Sequence, residues 1–267
     1  MRDDLRRRFA GYVWESVAVG CSGAGVYRLL GRGGEELYLK VGEASAHPDS
    51  GFQLSAEVAR GVWAAGRGVP VAEILDHEVD ESGGWLLTRA VPGRSAADPW
   101  PAEQRDAVID ALAETARTLH ELPLADCPFD RTLAVTVPAA THAVAAGLVD
   151  LDDLDEDRLG RTGPELLAEL TATIPPTEDL VVGHGDYCLP NILLDPETLR
   201  VTGLIDLGRL GRTDRHADPA LITRSLRADY NEQYSPAHAA RFLARYDPAG
   251  TLDPKRLEFY RLLDEFC

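Results

Sequence analysis

The spacing of apolar residues changes its period near residue 92. Between residues 12 and 45, "YVWESVAVG", "VYRLLG" and "ELYLKVG" alternate apolar and polar positions and are separated by glycine clusters. That is the period of strands joined by turns, and it predicts an antiparallel meander. Leu54, Val58 and Val62 then recur every fourth residue, predicting a helix over 54–68 that glycine ends. Residues 69–91 return to strand, with a turn at 81–84. Beyond them, 102–122 forms a long amphipathic pattern with Pro101 ahead and Pro123 behind. Helices are expected near 136–148 and 163–172, and a last one over "PKRLEFYRLLDEF". Only 180–211 looks strand-like in the second half. The pattern predicts an α+β chain of two lobes, 1–92 rich in sheet and 93–267 mostly helical.

Two apolar runs end in acids. "LVVGHGDYCLPNILLD" (180–195) places Asp186 after a strand and Asn191 five residues later, with Pro190 suppressing helix between them. "VTGLIDLGRLG" (201–211) ends its apolar run at Asp206. A hairpin turning at "DPETL" would bring Asn191 and Asp206 to one point. Two oxygen donors completed by phosphate oxygens and water suit Mg²⁺. Asp186, one loop away, could take a proton from an attacking hydroxyl, so the set fits phosphoryl transfer. His-x-Asp, four residues, Asn, then a strand-borne Asp is the spacing found in kinases. Asp and Asn also cap turns, but the whole set at this spacing favours chemistry.

A nucleotide also needs holding. Lys40 ends a strand and Glu57 lies on the helix that follows; a lysine on the phosphates oriented by a helix-borne glutamate is the expected pair. The chain has 25 Arg and only two Lys, which singles Lys40 out. Gly20, Ser22, Gly23 and Gly25 permit close backbone approach to phosphates, although the strict G-x-G-x-x-G pattern is absent.

Composition narrows the partners. Forty-four acids against 27 basic residues give a net charge of −17. That disfavours nucleic acid and favours a cationic partner, ATP and Mg²⁺ apart. No apolar run reaches the roughly 18 residues of a membrane span, and "MRDDLRRRFAGY" lacks a secretory core. Cysteines at 21, 127, 188 and 267 match neither a disulfide framework nor a zinc site, pointing to a reducing cytoplasm. The run "DLDDLDED" (150–157) holds six acids in eight positions; alone it reads equally as a solvated face.

"HGDYCLPNILLD", "GLIDLGRLG", "DRHAD", "LHELPLADCPFD" and "FYRLLDEFC" together resemble the aminoglycoside 3'-phosphotransferases, over nearly the whole chain. The resemblance implies a protein-kinase-like fold and phosphorylation of an antibiotic 3'-hydroxyl by ATP. It implies Asp186 as base, Asn191 and Asp206 as magnesium ligands, and Lys40 with Glu57 on the nucleotide. His184 would brace the loop, and Ser22 would reach toward the phosphates. Asp153, Asp155 and Glu156 would line the antibiotic pocket with Arg209, Arg224, Asp264 and Glu265. Two positions depart from the family pattern: Cys267, whose carboxylate the resemblance places on the substrate, stands where a terminal Phe is usual, and Ala228, followed by Asp229, replaces an expected acid. The rival expectations are a kinase for another hydroxyl, such as the streptomycin 3''-position or a small metabolite alcohol, and a non-catalytic polycation binder.

Overall fold

A computed structural model of the chain describes residues 3–17 and 25–267. The first part is one antiparallel sheet: β1 (Tyr12–Val17), β2 (Gly25–Gly31), β3 (Glu36–Glu43), β4 (Ile74–Asp80) and β5 (Gly83–Arg89), in the order β1-β2-β3-β5-β4. Two helices accompany it, α1 (Asp3–Arg8) and α2 (Leu54–Gly66). The sequence pattern missed α1. Its Leu5, together with Phe9, packs with Leu29, Leu39 and Trp85 under one face of the sheet. An apolar pair four residues apart among arginines was the only local signal.

Between Arg89 and Arg94 the chain crosses to the second part. There β6 (Arg94–Ser95) pairs with β8 (Ile192–Leu194), and β8 with β9 (Val201–Leu204). Gly93 makes the crossing with φ +133°, and a Cβ there would lie 2.6 Å from the Leu194 carbonyl oxygen. β7 (Leu180–Gly183) pairs with β10 (Gly211–Asp214), a strand just beyond the stretch the pattern marked. α3 (Ala102–His120) buries Val108, Ile109, Leu112, Ala113, Ala116 and Leu119, one face of a 3.6-residue repeat, against these strands and α7 (Pro236–Tyr246).

A second cluster joins α4 (Leu133–Ala146), α5 (Gly163–Thr173), α6 (Ala217–Ser225) and α8 (Pro254–Asp264) around Leu166, Leu170, Ala220, Phe259 and Phe266. The capping box of Thr162 and Glu165 starts α5. α4 begins three residues before the expected start and continues through Pro138. Its first turn is anchored from a distance: the Glu178 carboxylate accepts from the Leu133 amide at 3.0 Å. Such a tertiary cap is invisible to local pattern. Among the described residues, no helix is long and apolar enough to cross a membrane.

Candidate active site

β7 carries the chain into the core and stops at His184, which is fully buried. A sharp turn follows at Gly185, with φ +79° and no room for a side chain, because a Cβ would come within 2.2 Å of the Arg209 carbonyl oxygen. Asp218 of α6 holds this turn from below, accepting from the amides of His184 (2.8 Å) and Gly185 (2.9 Å). His120 Nε2 binds the same carboxylate at 2.9 Å, and His120 Nδ1 meets the Tyr246 hydroxyl at 2.7 Å. Burial pushes the Asp218 carboxyl upward, but these hydrogen bonds outweigh it and hold the group below its ordinary range. Sequence reasoning gave Asp218 no role. Its partners lie 33 to 98 residues away, and only its place within "DRHAD" marked it.

Asp186 emerges from this turn as a carboxylate fixed on both sides. Its Oδ2 accepts from Asn191 Nδ2 at 2.8 Å, and its Oδ1 pairs with Arg209 at 2.9 Å. The Asn191 amide nitrogen also donates to the Asp186 carbonyl at 3.0 Å. Its amide oxygen is therefore the atom that could serve a metal. The Ile205 amide donates to the Asn191 carbonyl at 3.0 Å, so the two strand ends close on each other as the hairpin reading expected. Asp206 follows in the left-handed conformation, φ 59° and ψ 51°, rare for a residue other than glycine and costly unless its surroundings impose it.

Lys40 of β3 reaches across. Its Nζ donates to both Glu57 oxygens, at 2.8 and 3.0 Å, and to Asp206 Oδ1. Burial works against its charge, yet Glu57 and Asp206 keep its pKa above the ordinary lysine value. Glu57 is pushed up by its own burial. Asn191 and Asp206 fit a magnesium ion: both present hard oxygens, and Asp206 already accepts a cation in the Lys40 ammonium. Among the described residues, no cluster of three His, Cys, Asp or Glu could hold a metal, so phosphate and water would complete the sphere. Ser22 and Gly23 lie outside the described residues; Gly25 opens β2.

Beside Asp186, acids and arginines alternate. Arg209 bridges Asp186 and Asp264 (2.8 Å to the latter), and Arg224 bridges Asp264 (2.5 Å) and Asp155 (2.6 Å). Arg261 and the buried Arg158 also bind Asp155, at 3.0 and 3.2 Å. Glu265 sits beneath the pocket, accepting from the Asp155 amide and pairing with Arg158 at 3.3 Å. Burial, and then the nearby Asp155 charge, push its pKa up to about 7. Asp153 and Glu156 are exposed on the same loop, where the Asp229 carboxyl meets Glu156 and raises its pKa. Asp229, next to Ala228, thus meets the acidic loop at Glu156. The Cys267 thiol lies beside Arg209 and Asp264, 3.8 Å from Asp49 and 3.9 Å from the Leu263 carbonyl. Arg158 and Arg261 were missed from sequence; the signal available was Arg261 at helical spacing from Asp264 and Glu265.

A profile described as the phosphotransferase enzyme family matches residues 13–260. An aminoglycoside 3'-phosphotransferase of Streptomyces fradiae is 52% identical over 265 residues, covering 98% of each chain. The crystal structure of a type VIII aminoglycoside-3'-phosphotransferase superposes with a TM-score of 0.91 at 51% identity, covering 99% of this chain and 97% of that one. The Streptomyces rimosus phosphotransferase APH(3'')-Id, in complex with ADP and streptomycin, superposes with a TM-score of 0.80 at 36% identity, covering 98% and 95%.

Proposed function

The chain belongs to the phosphotransferase enzyme family, and from that premise we infer that it is an aminoglycoside 3'-phosphotransferase with a protein-kinase-like fold. It transfers the γ-phosphoryl group of ATP to the 3'-hydroxyl of the antibiotic and so inactivates it. The observation that carries the reading is the meeting, in one mouth, of a carboxylate base, a glutamate-held lysine and an alternating acid–arginine pocket. The identity to enzymes of that activity over nearly the whole chain supports the acceptor position.

Each residue has a task in the transfer. Lys40, aimed by Glu57, binds nucleotide phosphate oxygens through its ammonium. Asp186 accepts the hydrogen bond of the 3'-hydroxyl and takes its proton as the new O–P bond forms and the bond to the departing ADP oxygen breaks. Asn191 holds the Asp186 carboxylate in one orientation, so the hydroxyl meets a preset acceptor. Asn191 and Asp206 would hold Mg²⁺, which when bound offsets charge on the transferring phosphate. Asp153, Asp155, Glu156, Asp264 and Glu265 give the pocket its acid, and the ammonium groups of the antibiotic are drawn to it. The N-lobe over 1–92 holds the nucleotide, and 93–267 supplies base, metal site and antibiotic pocket. We place the enzyme in the cytoplasm, where its donor ATP is available; its charge of −17 argues against a nucleic-acid partner.

The test is nucleotide turnover with Mg²⁺ and two antibiotics, kanamycin and its 3'-deoxy counterpart tobramycin. Turnover with kanamycin alone is the expected result. Equal turnover with both would move the acceptor to another hydroxyl. Turnover with neither, but with streptomycin, would make the enzyme a 3''-kinase.

A further inference from the structure

Helix α2 touches the loop that carries Asp206 at two points one turn apart. The first is Glu57, acting through Lys40. The second is Arg60, three residues on and only 5% exposed. Arg60 Nη1 donates to the carbonyl of Gly208, its only hydrogen-bond acceptor among the described residues, while its Nε is buried without a partner. The Phe129 ring lies 5.3 Å from the guanidinium carbon. No described carboxylate forms an ion pair with it. The nearby acid Asp49 is bound by Arg131, whose own charge opposes that of Arg60. Burial and that repulsion draw the Arg60 pKa down to about 10.

A buried charge with one neutral acceptor weakens a fold rather than supporting it. The Phe129 ring and the charge of Asp49 offset only part of that cost, and the acceptor the guanidinium has chosen points to a further role. Gly208 lies between Asp206, which holds a left-handed backbone, and Arg209, which reaches Asp186. The turn at Gly51 closes on the same residue. A Cβ on Gly208 would lie 2.3 Å from the Gly51 carbonyl oxygen. A Cβ on Gly51 would lie 2.5 Å from Arg209 Cγ and 3.0 Å from the Gly208 carbonyl oxygen. The guanidinium and the glycine turn both bear on Gly208, and the turn leaves the loop no room to shift toward it.

We propose that Arg60 is a positioning residue for phosphoryl transfer: by holding the Gly208 carbonyl against the Gly51 turn, it fixes Asp206 as a metal ligand and aims Arg209 at Asp186. This rests on Asp206 binding Mg²⁺ in the function proposed above. Helix α2 then sets both ends of the site at once, the lysine on the phosphates and the carboxylate on the metal. Its Ala64 and Trp63 pack into the core of the second part, so the helix is fixed to the element it positions.

The experiment is calorimetric titration of ADP, with and without MgCl₂, into wild type, Arg60→Ala, Arg60→Lys and Gly51→Ala, alongside steady-state kinetics. Arg60→Ala should lose about 10–100-fold of the affinity that Mg²⁺ adds, the usual range for a residue supporting a metal ligand. Metal-free ADP affinity should stay within about two-fold of wild type while kcat falls. Arg60→Lys, which keeps a donor, should recover much of the loss. An undiminished Mg²⁺ gain and kcat in Arg60→Ala, or an equal fall in metal-free and Mg²⁺-loaded affinity, would overturn the proposal. If Arg60→Ala does not fold, Gly51→Ala in its half-buried turn decides: it should lose the Mg²⁺ gain, and wild-type behaviour refutes the grip. A wild type that gains nothing from Mg²⁺ refutes Asp206 as metal ligand, and the proposal with it.

Discussion

Asp186 is held by two different kinds of partner, and each limits what the residue can do. The Asn191 amide fixes the plane of the carboxylate, and Arg209 supplies a charge that an incoming hydroxyl must share. Removing the carboxylate leaves phosphate binding intact, since Lys40 and Glu57 do not touch it. Asp186→Ala should therefore lower kcat by about 10²–10⁴ with ATP KM little changed, measured in steady state with kanamycin. A variant with wild-type turnover would remove Asp186 from the chemistry. Asp186, Asn191 and Asp206 were legible because a short loop and one hairpin fix their spacing, so local sequence already implies proximity. Lys40 was legible through its rarity. Arg60, Arg131 and Asp218 were not. Each acts on partners tens of residues away, and nothing in a run of neighbours distinguishes such a residue from an ordinary surface charge.

Among the elements, the acidic loop around Asp155 and helix α8 depend on one another. Glu265 ends α8 beneath the loop, and its carboxyl accepts from the Asp155 amide while lying in the shadow of the Asp155 charge. Its folded-state pKa of about 7 lies above its ordinary value of 4.5, so the folded chain binds the proton more tightly than the unfolded one. The stabilising share of this group is complete below about pH 4.5 and is lost as pH rises through about 7. Melting temperature should fall between pH 5 and pH 8 by a few degrees more in wild type than in Glu265→Gln, a shift of the size expected for a chain of this length. Parallel pH profiles for the two would mean that Glu265 does not titrate there. The strands of the first sheet, α2, α3 and α5 followed from period and flanking turn residues, whereas β6 and β10 did not. α1 was too short and too charged to show a period, and the start of α4 depends on Glu178, 45 residues away.

Across the whole molecule, acid outweighs base by 17 charges, and much of the basic side is committed to internal pairs. A cationic antibiotic meets a favourable field, while ATP meets an opposing one and relies on Lys40 at short range. Raising KCl from about 50 to about 300 mM shortens the screening length to well under 10 Å. The antibiotic KM should then rise several-fold and the ATP KM by less; equal shifts would count against an electrostatic pocket.

The alternation of Asp186, Arg209, Asp264, Arg224 and Asp155 has a consequence for discrimination. A pocket of bare carboxylates would act as a sink, drawing any polycation in proportion to its charge. Here the acids already hold guanidinium counter-ions, so in the pocket proposed above an arriving ammonium group would displace or share one of them. Such a site would behave as an ion-exchange column with a built-in counter-ion. On that reading preference would be set by how well the guest's charges match the spacing of the guanidiniums, and a flexible polyamine of equal charge should compete only weakly with the antibiotic.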